Sequence, residues 1–396
     1  MEDGGKRRRR WAVLAAALSG AVLISGIGLW ATDSWPFKDR YCWDAWEQDS
    51  GPRFLGDYVL RDSGSERKAT ESGTPGSGGG TATCTLTVTS SDSGSGSGSS
   101  STSPTGFQDR LTLSYGPVPE APDERRDWID RYFDGSASAL PDGLDGLVAN
   151  DRAMLILPES CDVAGRPSAV TLWGESWGDG PKGRRAMPLT LASLPDISTM
   201  LLDAADVGMR KAGCAPEKPL RTSAPMVRLT EGGDRPDNPV CRIPGVTFPL
   251  DEDERYEQRV GVVGDRLQTC SLVRRKLGSP DEPAAQFVMA GSPRTAAVFA
   301  GLPEGAAHGL VRTACDGRDT VFYARIAPGL GDGGGEKDRR VFERFTEAVG
   351  RRVGCEPVKT TGATESSKAT ERSERSEGSE GSEATEATEG SEGEAR

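Results

Sequence analysis

The hydrophobic pattern of the chain begins with an uncharged apolar run from Trp11 to Ala31. In a helix that rises about 1.5 Å per residue, a run of this length covers roughly 30 Å, which matches the hydrocarbon core of a bilayer. A basic cluster at residues 6–10 precedes the run, and Trp11 and Trp30 lie at its two ends, as is typical of a span whose basic end stays in the cytoplasm. The pattern predicts a transmembrane helix at 11–31, a cytoplasmic basic tail at 1–10 and an extracytoplasmic remainder.

A cleaved signal peptide is the alternative interpretation of this run, because it also begins with basic residues. Its apolar region is usually shorter, about 7 to 15 residues, and ends in a small-x-small cleavage site. Cleavage after Ala31 would need a small residue at position 29, where the chain has Leu29. The pattern therefore favours an uncleaved anchor.

Further along, two segments show the three- and four-residue apolar spacing of amphipathic helices. They are LPDISTMLLDAADVGMRKAGCAP, which begins at Leu194, and EKDRRVFERFTEAVGRRVGCEP, which begins at Glu336. Each ends in a Gly-Cys-x-Pro sequence, and glycine followed by proline is typical of a helix stop. We expect both helices to pack an apolar stripe against a sheet.

The regions before these helices also match each other. LPDGLDGLV from Leu140 resembles LPEGAAHGLV from Leu302, and a Cys-Asp pair precedes an apolar strand in both places, AVTLW after Cys161 and TVFYARIA after Cys315. The repetition predicts an internal duplication, with α+β module 1 at 33–218, a linker at 219–238 and α+β module 2 at 239–358. Repeats of this kind stack to share a core.

Three segments have the composition of disordered chain. The Gly/Ser/Thr-rich runs 63–80 and 90–106 flank a short predicted strand, TCTLTV, and the tail 359–396 is rich in Glu without aromatic residues. Segments without apolar side chains cannot offset the entropy of ordering. We expect two disordered loops in module 1 and a disordered acidic tail.

The charge distribution bears on the partners. The formal net charge is -12, and it becomes -15 when the first ten residues are left out. An acidic exterior disfavours nucleic acid, which needs a positively charged surface to neutralise its phosphates.

All eight cysteines follow the apolar run: Cys42, Cys84, Cys161, Cys214, Cys241, Cys270, Cys315 and Cys355. An even number on one side of a span indicates disulfides in an oxidising compartment. Four cysteines in each module allow three pairings, and we favour first with second and third with fourth. The sequence has no Cys-x-x-Cys pair of the kind that zinc sites use, so we expect neither a metal nor a cofactor.

An aromatic segment follows the apolar run, with Trp35-Pro36-Phe37, then Asp39-Arg40-Tyr41-Cys42-Trp43, then Ala45-Trp46. In this segment, and more loosely over the following chain, the sequence resembles a group of membrane-anchored secreted proteins of actinobacteria of the Streptomyces type. The resemblance implies a location outside the membrane. It implies no activity and no catalytic residues.

One motif is compatible with catalysis. Gly174-Glu175-Ser176-Trp177-Gly178 matches the G-x-S-x-G nucleophile elbow after a predicted strand, and His308 is the chain's single histidine. The elbow needs a helix directly after the serine, but the glycines and prolines of DGPKGRRAMP disfavour one. We expect Ser176 in a loop at the end of a strand and His308 on the surface, and we keep a tethered serine hydrolase as the alternative function.

Several other sets of residues resemble ligand sites. The glycines at 329, 331 and 334 imitate a dinucleotide turn, but no later strand with an acidic end follows them. The acidic run 251–254 and the loop with Asp142 and Asp145 could contact calcium, but neither has the spacing of a calcium loop. Four tryptophans, Trp43, Trp46, Trp173 and Trp177, could stack on sugars or fill the core.

The function that the sequence favours is a single-pass, non-catalytic binding or interaction module of the cell envelope, with an envelope protein or a cell-wall ligand as its partner. It leaves the oligomeric state open.

Overall fold

The computed structural model describes residues 39–56, 60, 65–76, 79–91, 106–180, 183–226, 239–250, 254–275, 282–328, 330 and 335–356. The predicted tail 1–10, the predicted transmembrane helix 11–31, the acidic tail 359–396, most of the loop 90–106 and most of the linker 219–238 lie outside these residues. Among the helices that are described, none combines the length and the hydrophobicity that a bilayer crossing requires.

The first half of the described chain, residues 39–226, forms an eight-stranded antiparallel sheet and a small two-stranded one. The strands are β1 (Arg40–Tyr41), β2 (Trp46–Glu47), β3 (Glu66–Ser72), β4 (Ala82–Ser91), β5 (Gly106–Pro117), β6 (Ser138–Ala139), β7 (Gly146–Val148), β8 (Arg152–Ile156), β9 (Ser168–Gly180) and β10 (Gly183–Pro188). The large sheet has the order β3-β4-β5-β9-β8-β7-β6, and β10 pairs with β9 as a hairpin. Helix α1 (Pro122–Tyr132) follows β5, and helix α2 (Leu194–Ala212) follows β10.

The second half, residues 239–356, forms a five-stranded antiparallel sheet. Its strands are β11 (Arg255–Val263), β12 (Leu267–Arg275), β13 (Glu282–Ala290), β14 (Leu310–Cys315) and β15 (Arg318–Ile326), in the order β11-β12-β13-β15-β14. The short helix α3 (Pro293–Ala297) follows β13, and helix α4 (Glu336–Arg352) follows β15. The two predicted amphipathic helices and the strands AVTLW and TVFYARIA are confirmed as α2, α4, β9 and β15.

The two halves repeat one arrangement. The strand order β3-β4-β5-β9-β8 of the first half recurs as β11-β12-β13-β15-β14, and a helix closes each half. Four disulfides join Cys42 to Cys84, Cys161 to Cys214, Cys241 to Cys270 and Cys315 to Cys355. The pairing of first with second and third with fourth cysteine is confirmed in both halves. In each half, the last disulfide therefore fastens the end of the closing helix to the chain that leads into the strand under it.

The closing helices end as their sequences predict. Gly213 and Gly354 adopt positive φ angles of 73° and 71°, which a residue with a Cβ atom adopts only with strain. A Cβ at position 354 would also collide with the side chain of Asp316. These glycines turn the chain so that the following cysteine reaches its partner.

Each sheet has a core on its helix side, and a third core lies where the two halves meet. The helix side of the first sheet packs against α2, and the helix side of the second packs against α4. The third core contains residues of both halves, including Ile129 and Phe133 from the first half and Val288, Phe299 and Tyr323 from the second. The ring of Phe299 lies 5.7 Å from that of Phe133 and 5.5 Å from that of Tyr323.

Polar contacts reinforce this junction. Tyr323 on β15 donates a hydrogen bond to Asp130 of α1 at 3.1 Å, and Arg294 of α3 reaches Asp162 of the first half at 2.8 Å. Backbone also meets backbone, because a Cβ at Gly135 would overlap the carbonyl oxygen of Arg259 on β11. The halves therefore share a core and meet through direct side-chain and backbone contacts.

The predicted disordered loop at 63–80 is wrong over part of its length. Residues 66–72 form strand β3, which pairs with β4 from Glu66↔Thr89 to Ser72↔Thr83. The side chains of β3 are mostly exposed, as an edge strand permits, and the ladder to β4 supplies the backbone hydrogen bonds. The polar composition of this segment predicted a disordered loop, whereas residues 66–72 form an edge strand.

Candidate binding face

The central strands of the first sheet have one buried side and one partly exposed side. On β4 and β5, Leu86, Leu111 and Leu113 are fully buried beneath α2, whereas the residues between them remain partly exposed. Because successive residues of a strand point to opposite sides, those intervening residues share the other side of the sheet. We call this side the tryptophan face; it consists of Thr83, Thr85, Thr87, Gln108, Arg110, Thr112, Ser114, Trp173, Glu175 and Trp177.

The strand register sets the layout of the tryptophan face. Thr85 of β4 lies opposite Thr112 of β5, which lies opposite Trp173 of β9. Further along β9, Trp177 lies opposite Gln108. Threonine suits the pleated surface of a sheet, so its hydroxyls line the face in rows.

Trp173 is held by charged neighbours. The guanidinium of Arg131, at the end of α1, lies 4.7 Å from the centre of its ring, and that of Arg152 on β8 lies 5.7 Å from it. The indole N–H donates a 2.7 Å hydrogen bond to Glu175. Cation–π contacts of this kind fix both the ring and the cation. Arg131 is exposed and has no carboxylate partner among the described residues.

Beneath Arg152 lie two partly buried carboxylates. Arg152 pairs with Asp134 at 3.0 Å and with Asp151 at 3.3 Å. Burial alone would raise the pKa of Asp134, but Arg152 and the hydrogen bonds from Ser136 outweigh it and hold the pKa below its ordinary value. Burial raises the pKa of Asp151 despite the same arginine. These ion pairs anchor the border of the face, where α1 meets β8.

Arg110 and Trp177 are the residues of the face with a buried donor that has no hydrogen-bond partner. Within the described residues, neither the buried Nε of Arg110 nor the buried Nε1 of Trp177 has an acceptor. Glu175 lies opposite Arg110 in the register, but its carboxylate accepts the indole of Trp173 instead. Buried donors without partners are uncommon, because an unmade hydrogen bond costs free energy.

The four tryptophans that could stack on sugars fall into two pairs. Trp43 and Trp46 are buried in the core beneath α2, and their indoles donate to the carbonyls of Gly73 and Met200 at 3.1 and 3.0 Å. They are therefore core residues. Trp173 and Trp177 lie on the opposite side of the sheet and stay partly exposed.

Ser176 and His308 lie in different halves. Ser176 is inside strand β9, not in a loop at its end, and its hydroxyl donates a 2.6 Å hydrogen bond to Asp109 of β5. The chain that follows forms the hairpin strand β10 because residues 178–180 continue the strand before it turns. The strand-turn-helix geometry of a nucleophile elbow is absent at this serine. His308 is exposed in a single 3-10 turn of the second half, as expected.

The other candidate ligand residues have ordinary partners or lie outside the described chain. The glycines at 329, 331 and 334 and the acidic residues at 251–253 are outside it. Glu254 pairs with Arg274 at 3.3 Å, and Asp145 accepts a hydrogen bond from Thr295 at 3.1 Å. The described residues contain no group of three potential metal ligands.

Comparison with protein-family models, with curated proteins and with solved structures finds no match to this chain. The fold and the site define an α+β protein with two large antiparallel sheets and four disulfides, in which one sheet presents an aromatic and hydroxyl-rich face.

Proposed function

We propose that this chain is a membrane-anchored, extracytoplasmic binding protein of the cell envelope and that it has no catalytic role. In this proposal the segment Trp11–Ala31 is an uncleaved anchor, with residues 1–10 in the cytoplasm. All eight cysteines are paired in disulfides, which supports an oxidising compartment. The two halves are the products of a duplication, a hypothesis that their common strand order and disulfide positions support.

The observation that carries the binding role is the tryptophan face. It combines two partly exposed indoles with hydroxyl rows and with guanidinium groups that have no carboxylate partner in the described chain. Sites that bind ligands combine aromatic surface with a few polar groups that fix orientation. If this side of the sheet served only for packing, its residues would be apolar and covered. If it were ordinary surface, its residues would be polar, without partly exposed indoles.

The location is tested by expressing the full chain and probing intact cells. A protease added outside should digest the chain beyond residue 31, and a membrane-impermeant maleimide should react only after a reductant is added. Deletion of residues 11–31 should abolish membrane attachment. Recovery of the full chain from cytosol with reactive thiols would refute the proposal.

The non-catalytic role is tested at the two residues of the alternative. A fluorophosphonate probe should not label the folded protein, and Ser176→Ala or His308→Ala should leave its binding unchanged. Labelling that disappears in Ser176→Ala would establish a serine hydrolase instead.

A further inference from the structure

We infer that the tryptophan face binds a polysaccharide that carries carboxylate groups, an inference that rests on the proposed function and names the class of ligand. Three properties of the face support this class of ligand, namely its extent, its aromatic rings and its charge.

The extent of the face fits a polymer better than a small molecule. Trp173 and Trp177 are four residues apart on one strand, which places them about 13 Å apart. From β4 to β9 the face crosses two strand spacings, or roughly 10 Å. A ligand that touches both indoles must therefore contain more than one sugar ring, and a linear chain along β9 would do so.

The two indoles have different roles on this surface. Trp173 already carries Arg131 over its ring, so that ring positions a cation. Trp177 has no such contact, because the described residues place no cation or aromatic ring against it. Its ring is available to stack on the apolar face of a sugar.

The charge of the face selects an anionic polymer. Arg110 and Arg131 have no carboxylate partner in the described residues, and Lys68 of β3 lies on the same row as Arg110, opposite Thr87. Arg110 is partly exposed, and a carboxylate of the ligand would pair with the accessible part of its guanidinium. The same side of the sheet also carries two carboxylates, Glu175, which accepts the indole N–H of Trp173, and Glu66 of β3, so the cations outnumber the carboxylates by three to two.

Single-stranded nucleic acid also stacks on aromatic rings beside cations. The small number of cations on the face, Arg110, Arg131 and Lys68, disfavours it, because binding to a phosphate backbone depends on many cations that release counterions. A phosphate polymer without sugar rings would use the cations but not Trp177. These two ligands are outcomes that the experiment distinguishes.

The test measures co-sedimentation of the full chain, in detergent, with bacterial peptidoglycan sacculi from which phosphate polymers have been stripped. We expect saturable binding that weakens about tenfold or more when the carboxylates of the sacculi are amidated. Sacculi digested to single disaccharide units should compete poorly, and longer fragments should compete well. An oligonucleotide and a glycerol phosphate polymer serve as competitors that we expect to be without effect.

Four variants of the face and two control variants separate the face from the fold. Trp177→Ala and Arg110→Gln should each weaken binding about tenfold, whereas Trp177→Phe and Arg110→Lys should keep most of it. Met187→Ala is the matched control for Trp177, since Met187 pairs with Ser176, is 46% exposed and points to the opposite side of the same hairpin. Arg351→Gln is the control for Arg110, because Arg351 is a highly exposed residue of α4.

The inference is overturned if the chain does not bind sacculi, if amidation leaves binding unchanged, if the oligonucleotide or phosphate polymer displaces it, or if the controls lose as much as the face variants. In those cases the location assays decide separately whether the proposed function survives. A chain that is anchored and oxidised outside the cell but does not bind sacculi would refute this ligand and leave the binding protein intact. A cytosolic, reduced chain would refute both.

Discussion

Phe299 tests whether the two halves unfold as one unit. It belongs to the second half, is fully buried and packs its ring against Phe133 of the first half at 5.7 Å and Tyr323 at 5.5 Å. Phe299→Ala removes a buried aromatic side chain, which costs about 4 kcal/mol of unfolding free energy. With a guanidinium dependence of about 5 kcal/mol per molar, the unfolding midpoint should fall by roughly 0.8 M.

The assay uses the distribution of tryptophan along the sequence. All eight tryptophans precede residue 178, so intrinsic tryptophan fluorescence follows the first half and not the second. A lower fluorescence midpoint in Phe299→Ala, measured with the disulfides intact, therefore reports that damage in one half reaches the other. Far-UV circular dichroism follows both halves, and its transition should coincide with that of fluorescence.

The matched control is a buried phenylalanine whose ring contacts lie entirely within the second half. Phe345 is fully buried on α4, and its ring neighbours, Phe287, Phe322 and Phe342, all belong to the second half. Phe345→Ala should lower the fluorescence midpoint by a similar amount if unfolding is cooperative across the junction. Two separate transitions, with the fluorescence midpoint unchanged in Phe345→Ala, would refute the reasoning and show that the halves unfold independently.

Three further predictions concern the disulfides, the partly buried charges and the junction. Replacing Cys161 and Cys214 together by alanine opens a loop with a sequence separation of 53 and should cost about 4 kcal/mol, measured by guanidinium unfolding. Asp134→Asn breaks the partly buried pair with Arg152 and should cost about 2 kcal/mol at neutral pH. Since the folded pKa of Asp134 is lowered, the wild type should lose this advantage only as the pH falls below about 4, so the two unfolding free energies should converge in acid. Gly135→Ala forces a methyl group against the backbone of β11 and should lower the unfolding free energy by about 2 kcal/mol, whereas Gly143→Ala, at a position with free space, should show only the smaller cost of its positive φ.

The features that the sequence predicts correctly are those that local pattern and repetition determine. Cys161 and Cys315 take the same place before matching strands, so a pairing that works in one half works in the other, and both pairings are found. The helices that end at Gly213 and before Gly354 follow from apolar spacing and a stop signal. These inferences need no knowledge of how the halves pack together.

The features that the sequence does not reveal depend on tertiary packing. Strand β3 is polar because it is an edge, and its order depends on the ladder to β4. Ser176 lies inside a strand because β9 continues into the hairpin with β10. Alternation along β9 places Trp173 and Trp177 on one side, but only the position of α2 shows that this is the side left partly exposed.

The alignment of the two halves was misleading at one place. GLV in the first half lies in β7, whereas its match in the second half begins β14, the strand that pairs with β15. The topological equivalent of β14 is therefore β8, which pairs with β9. The first half contains an additional pair of strands, β6 and β7, at the edge of its sheet.

These additional strands explain why the tryptophan face exists in one half only. In the second half, the inner sides of β13 and β15 contribute Val288, Val321 and Tyr323 to the shared core. In the first half, the equivalent strands β5 and β9 contribute no residue to this core. The first half contributes Leu147 of β7 and Met154 of β8 instead. The second sheet is thus displaced towards the edge of the first, and the displacement leaves the side of β4, β5 and β9 that carries Thr112 and Trp173 partly exposed. A repeat whose halves packed with exact symmetry would cover that side with apolar residues, so the extra strands leave partly exposed the surface that we propose binds a ligand.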